Sequence, residues 1–595
     1  MEIRKVGVVG LGTMGSNIAI VCARGVKDIT VCELSESILQ NGLNQIDTFL
    51  NSGVQKGKTT VEDRDATLDH LKGTTSITDL ADCDIVIEAI DENMEKKTNL
   101  YQVLDAVLDE QAIIASNTST LSITSMGAVS GRVDRFIGTH FCLPAALNKL
   151  VEVAPGSFTS RDTLNTILAF LKNVGQTPVG VKDTPGFILN YFLIPFQNDC
   201  IRMIEAGYAT PDDLDAGITL GLGYKMAPMR LLDIEGLDIH RTVSLSLFEQ
   251  LKDSRYAPPP LVDKMISAGY LGAKTGRGFY NYEHAGVFGV AEPKKENKPT
   301  HDSAAGKPLS DAIQQVGVIG LGTMGSGIAQ VCLSAGLEVT GIEMDAAALR
   351  AGQDRIAKNL EGAVKRGKMD EAGKCGILSR LRCSTNLKEL SDCDLIIEVI
   401  VEDLAIKIDL FEKVAGIAKD SAIIASNTSC LSVTAMAAKA KYPERVLGLH
   451  FFNPPYAMRL VEVIQAVQTA PEILEFGIVF CQRIGKTPVP VKDRPGFLVN
   501  RLLVPYLNHA AQAYDDFLAD KETLDKVIHC GLGHPMGPLT LLDLVGIDVQ
   551  TFVADAIARE LGEARFFAPP ILRRMTSANW LGRKSGRGFY GYGKS

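Results

Sequence analysis

The sequence predicts a chain of class α/β plus all-α, in which a doubly wound α/β domain followed by a mainly helical domain occurs twice in tandem. Three observations predict it. The sequence repeats itself with a period of 310 residues. The first part of each half alternates short β-rich apolar runs with helical stretches, which is the pattern of parallel sheets covered by helices. The rest of each half shifts to longer helical periodicity.

The repeat is read directly. Val6–Cys22 (VGVVGLGTMGSNIAIVC) and Val316–Cys332 (VGVIGLGTMGSGIAQVC) agree at fourteen of seventeen positions. Ala112–Thr124 matches Ala422–Thr434, and KTGRGFYNY from Lys274 matches KSGRGFYGY from Lys584, at the same offset. An offset that never drifts makes each half one intact unit rather than a stack of small repeats. The expected domains are 1–183 (α/β) and 184–283 (helical), a linker over 284–312, then 313–493 (α/β) and 494–595 (helical). The linker expectation rests on AEPKKENKPTHDSAAGKP from Ala291, which is rich in Lys, Pro and small polar residues.

Within the first half, the strand candidates are Val6–Gly10, Ile29–Glu33, Asp84–Ala89, Ala112–Ser116, Phe136–His140, Leu150–Val153 and Thr177–Val181. Helices are expected near Ile188–Ala206 and Pro211–Leu220. The 595 residues exceed what one hydrophobic core accommodates. A net charge of −9 argues against a nucleic-acid partner, for which a basic surface is needed. No run of about 18 apolar residues suggests a membrane span. There is no signal-peptide pattern at the N-terminus, and the twelve cysteines form no CxxC pair and sit largely in apolar runs. Free thiols of this kind suit a reducing compartment, so a cytoplasmic location and no metal site are expected.

Gly10-Leu11-Gly12-Thr13-Met14-Gly15 is a GxGxxG between a predicted strand and a predicted helix, repeated at Gly320, Gly322, Thr323, Met324 and Gly325. The first glycine permits a tight turn, the second lets backbone approach a pyrophosphate, and the third lets helix and strand pack closely. Glu33 and Glu343 follow about 20 residues on, at the end of a second strand, where a carboxylate binds the adenosine ribose. This is a Rossmann-like dinucleotide signature, and the acid favours NAD over its 2′-phosphorylated form.

The second half carries Ser426-Asn427-Thr428-Ser429, Gly448-Leu449-His450-Phe451-Phe452-Asn453-Pro454 and Leu460-Val461-Glu462-Val463. Arg494-Pro495-Gly496-Phe497, Asn500 and Gly586-Arg587-Gly588-Phe589-Tyr590 follow. On these motifs both halves resemble the 3-hydroxyacyl-CoA dehydrogenase family along nearly their whole length. The resemblance implies NAD-dependent, reversible oxidation of an L-3-hydroxyacyl-CoA to the 3-oxoacyl-CoA, in fatty-acid or related acyl-CoA degradation. It implies a His450–Glu462 base pair, hydrogen bonds from Ser429 and Asn500 to the reacting oxygen, and Glu402, Lys407 and Asn453 near the cofactor. The chemistry agrees, since removing a proton from a secondary alcohol at neutral pH suits an oriented histidine. The competing reading is a dehydrogenase of free 3-hydroxy acids.

The first half carries the counterparts Ser119, His140, Glu152, Asn190, Glu92 and Lys97. It departs at His140-Phe141-Cys142-Leu143-Pro144, where Leu143 replaces Asn453, and at Glu235, where the second half has Val545. It is therefore expected to bind NAD and keep its base, with a substrate preference or rate that differs, or to be catalytically impaired and mainly structural. Lys56-Gly57-Lys58 and Lys365-Arg366-Gly367-Lys368 are candidates to steer the CoA phosphates. Single-copy members of the family resemble dimers joined through their helical domains, which implies an internal pseudo-dimer here. Whether the whole chain is then monomeric or a higher homo-oligomer is left open by the sequence.

Overall fold

The computed structural model describes residues 2–283 and 306–593. Each half holds one eight-stranded sheet. In the first, the strands are β1 (Lys5–Val9), β2 (Asp28–Cys32), β3 (Leu71–Thr74), β4 (Ile85–Glu88), β5 (Ile113–Ser116), β6 (Phe136–Phe141), β7 (Leu150–Pro155) and β8 (Thr177–Gly180). In the second they are β9 (Gln315–Ile319), β10 (Glu338–Ile342), β11 (Leu381–Ser384), β12 (Leu395–Glu398), β13 (Ile423–Ser426), β14 (Val446–Phe451), β15 (Leu460–Gln465) and β16 (Thr487–Lys492). The order is β3-β2-β1-β4-β5-β6-β7-β8, and the second sheet repeats it. Pairing is parallel except between β6 and β7 and between β14 and β15.

The order reverses between β1 and β4, and it is there that the glycine turn leads into the helix Thr13–Ala23. Ligands of open α/β sheets bind at such a switch point. The central strands are buried throughout, with β4, β5 and β6 showing no exposed residue, as expected where helices cover both faces. Every strand expected from the sequence is present, shifted by a residue or two at its ends. The edge strand β3 is additional: it is half exposed and contains Gly73, so it carries little apolar signal.

The helical part of the first half comprises Leu189–Glu205, Pro211–Leu222, Pro228–Glu235, Leu237–Leu251 and Pro260–Ser267. Most of the expected linker, 284–305, lies outside the described residues. Its last seven residues differ from the expectation, because Gly306–Ala312 is a helix that packs on the helix Pro471–Arg483. Buried Ser310 and Ile313 anchor it, and the Arg483 guanidinium donates to the carbonyls of Ser310 and, at 2.8 Å, Ile313. Among the described residues, no helix is long and apolar enough to cross a membrane.

The two halves meet through their helical parts. Leu189–Glu205 packs along its counterpart Val499–Asp515, and Pro211–Leu222 and Lys521–Leu532 each lie across the other half's sheet. One buried apolar core runs through both helical parts. The approach is close: a Cβ on Gly221 would lie 2.7 Å from Leu460 Cδ2, and one on Gly531 would lie 2.7 Å from Leu150 Cδ2. The rings of Tyr224 and His534 stack with centroids 3.5 Å apart, Asp199 pairs with Arg565, and Asn148 Nδ2 donates to the Gly531 carbonyl at 2.7 Å.

Candidate functional site

The glycine turn is built as the spacing requires. Gly10 has φ +91° and Gly320 φ +92°, the left-handed region that disfavours other residues. A Cβ on Gly15 would lie 1.7 Å from the Gly10 carbonyl oxygen, so the third glycine is imposed by the protein's own packing, and Gly325 repeats this. Gly12 and Gly322 are different: a Cβ there meets nothing within 4 Å. Their lack of a side chain leaves open space at the N-terminus of Thr13–Ala23 and its counterpart Thr323–Ser334, where amide donors meet an anion. Thr13 and Thr323 are exposed, and Met14 and Met324 half-buried, at these same first turns. Glu33 Oε1 accepts from the Leu11 amide at 2.5 Å and Glu343 Oε1 from the Leu321 amide at 2.6 Å, which ties each carboxylate beside its turn. These residues fit a dinucleotide.

His450 and Glu462 stand opposite each other in the antiparallel register of β14 and β15. Side chains directly opposite on one face come within contact distance. His450 Nδ1 and Glu462 Oε2 are 2.6 Å apart, and Glu462 Oε1 accepts from the amides of Leu498 and Val499 at 3.0 and 2.9 Å. These amides belong to the turn that opens Val499–Asp515, so the helical part fixes the carboxylate that fixes the imidazole. In the first half His140 Nδ1 and Glu152 Oε2 are 2.7 Å apart, and Glu152 Oε1 accepts from Ile188 and Leu189 at 2.9 and 3.0 Å.

A second carboxylate organises the strand-end loop beside it. Glu402 Oε1 accepts from Thr428 Oγ1 at 2.6 Å and from the Ser429 amide at 2.7 Å, while Asn500 Nδ2 donates to the Ser429 carbonyl at 3.0 Å. The structure thus brings Ser429, Asn500 and Glu402 together. Glu92 holds Thr118, Ser119 and Thr120 in the same way, with distances of 2.6, 2.9 and 3.0 Å. Burial opposes ionisation of Glu92, but Lys97 and these donors outweigh it and hold its carboxyl below the ordinary value. Asn190 is buried at the start of Leu189–Glu205, two residues past the first Glu152 amide. Asn453 is exposed, while its counterpart Leu143 is half-buried.

Lys407 and Lys97 are only 1% exposed, so they lie beneath the site and not on its surface. Each bonds a buried carboxylate outside the site residues expected from the sequence: Lys407 Nζ reaches Glu398 Oε1 at 2.6 Å, and Lys97 Nζ reaches Glu88 Oε1 at 2.5 Å. Ser426 and Ser116 complete these clusters, and Tyr101 adds a 2.6 Å bond to Glu88 where the second half has Phe411. An acid closing an otherwise apolar strand, nine residues before a lysine, was the available signal. The GRGFY motif has a structural role: its amides and the following tyrosine hold buried Asp543, as Phe279, Tyr280 and Tyr282 hold Asp233. Lys365 is exposed at the end of the helix Ala346–Lys365, paired to Glu361 at 2.8 Å, and Lys368 is exposed just past it.

Comparison with known proteins identifies the family. The model for the 3-hydroxyacyl-CoA dehydrogenase NAD binding domain matches residues 5–184 and 315–494, and the model for the C-terminal domain of the same family matches 186–282 and 496–592. A 3-hydroxybutyryl-CoA dehydrogenase from Mycobacterium tuberculosis is 46% identical over 289 residues, covering 48% of this chain and all of the relative. The mitochondrial hydroxyacyl-coenzyme A dehydrogenase of Sus scrofa is 38% identical, covering 49% of this chain and 95% of that protein. The crystal structure of 3-hydroxybutyryl-CoA dehydrogenase from Escherichia coli K12 shares the fold over 97% of this chain and 99% of its own, with TM-score 0.66 at 24% identity. With both domain models matched twice and in order, the chain belongs to the 3-hydroxyacyl-CoA dehydrogenase family, as a tandem duplication of the whole unit.

Proposed function

We propose that the chain oxidises L-3-hydroxyacyl-CoA to 3-oxoacyl-CoA, with NAD as the hydride acceptor, and that His450 with Glu462 forms its principal site. The observation that carries this reading is the His450–Glu462 bond between β14 and β15. With Nδ1 engaged by the carboxylate, Nε2 is the nitrogen left for the substrate hydroxyl. His450 takes the hydroxyl proton while the C3 hydrogen leaves as hydride, and Glu462 stabilises the imidazolium that forms. Bound NAD supplies the acceptor for that hydride. Ser429 and Asn500 hydrogen-bond the reacting oxygen, a reading supported by their link through the Ser429 carbonyl. Glu402 orders this loop, and the buried Lys407–Glu398 pair supports it from below. Asn453 lies at the cofactor side.

The first half runs the same chemistry through His140 and Glu152, with Ser119 and Asn190, on a different range of acyl chains. The two helical parts act as an internal pseudo-dimer, supported by the packing of Leu189–Glu205 on Val499–Asp515. A cytoplasmic location is supported by twelve cysteines that are all free and mostly buried.

The test is NADH formation over a panel of 3-hydroxyacyl-CoAs and free 3-hydroxy acids, with wild type, His140→Gln and His450→Gln. His450→Gln should lose roughly a hundredfold or more on at least one thioester, the scale of losing a general base. Full activity of that variant on every thioester refutes the assignment.

A further inference from the structure

The helix Leu189–Glu205 starts at the first half's catalytic pair, since the Ile188 and Leu189 amides hold Glu152. Asn190 and Gln197 are seven residues apart on it, so they share one face about 10 Å apart along the axis. Gln197 is fully buried, and its Nε2 donates to Glu235 Oε2 at 2.8 Å. Its Oε1 is buried with no hydrogen-bond partner. Burial, only partly offset by Gln197, pushes the Glu235 carboxyl up to about 7. In the second half the counterparts of Gln197 and Glu235 are Leu507 and Val545, so the pair is polar in one half and apolar in the other.

An unsatisfied buried acceptor costs free energy that a bound donor recovers. Resting on the dehydrogenase reading of the first half, we propose that Gln197 and Glu235 set its specificity. They select 3-hydroxyacyl-CoAs whose acyl tail carries a hydrogen-bond donor, such as a terminal hydroxyl. Gln197 Oε1 accepts from that group and Glu235 keeps the amide oriented. A plain alkyl tail leaves the amide oxygen unpaired, and sites built to bond a hydroxyl discriminate strongly against analogues lacking one. The second half, with Leu507 and Val545, prefers the plain tail.

The experiment uses the full chain with His450→Gln, so that the first half alone turns over. Two thioesters of about eight carbons, one ω-hydroxylated and one plain, match the helical distance. The expected result is a kcat/KM ratio favouring the hydroxylated thioester by about tenfold or more. Adding Gln197→Leu and Glu235→Val, the residues the second half already folds with, should abolish or reverse that ratio. A plain tail favoured from the outset, or a ratio unchanged by the double substitution, overturns the inference. Should the His450→Gln chain turn over no thioester at all, the dehydrogenase reading of the first half fails separately. Calorimetric binding of the same two thioesters then decides: a preference lost in the double variant upholds the inference, and equal binding overturns it.

Discussion

Tyr224 of the first half stacks on His534 of the second, ring centroids 3.5 Å apart and planes 19° from parallel. The two are counterparts in the repeat, so a single position meets itself across the interface with two different side chains. Burial depresses the His534 pKa to about 3. The unfolded chain, with an ordinary histidine near 6.5, therefore binds the proton more readily than the folded one. Stability should be intact above about pH 6.5 and fall as pH drops towards 3. Buried His240, depressed to about 3 by the same cause, acts in the same direction. His534→Phe should flatten this acid loss in urea-unfolding curves taken from pH 7 to 4, and an unchanged pH slope would show the stack to be irrelevant to it.

Glu462→Gln keeps the size of the side chain and removes its charge. It should lower kcat of the second site by roughly a hundredfold or more, with a smaller effect on KM, because the imidazolium loses its partner. The measurement is steady-state kinetics in a His140→Gln background. Equal kcat with and without the substitution would falsify the role assigned to the pair.

Two glycines of one turn should separate cleanly. Gly322→Ala has open space for its methyl group, so the thermal midpoint should hold within a degree or two of the parent while NAD affinity falls about tenfold or more. Gly325→Ala drives a methyl group onto the Gly320 carbonyl and should cost several kcal/mol of stability. Calorimetric titration and thermal melts read the two effects, and equal behaviour of the variants would contradict the geometry.

Lys407→Met leaves Glu398 buried without its cation, a loss of about 3–5 kcal/mol. Adding Glu398→Gln removes the stranded charge and should recover a large part of it. Denaturant unfolding of single and double variants checks this, and no recovery would mean that the lysine acts by packing alone.

Much of this was legible in the sequence because the chain states its pattern twice. A constant offset of 310 aligned every motif, and strands buried on both faces announce themselves as apolar runs. His450 and Glu462 were visible as residues, and their pairing followed once β14 and β15 were neighbours. The edge strand β3 was not legible, since solvent takes one side and Leu71–Thr74 has no periodicity to show. Glu398 was not either, because burial of a carboxylate depends on where Lys407 arrives. The helix Gly306–Ala312 was hidden by a polar flank, and only its packing on Pro471–Arg483 orders it.

The close contacts of Gly221 with Leu460 and of Gly531 with Leu150 have a consequence for how this interface can change. In a two-fold dimer of identical chains each substitution lands twice, so every surface must be complementary to itself. Here the two sides are encoded separately, and a change on one side strikes the contact once. Asp199 can therefore meet Arg565 while the counterpart of Asp199, His509, lies against the ring of Tyr191. If the two units pair within one chain, as proposed above, their encounter is intramolecular and the pairing should not depend on protein concentration. Freed from self-matching and from dilution, the two surfaces are at liberty to become a lock and a key.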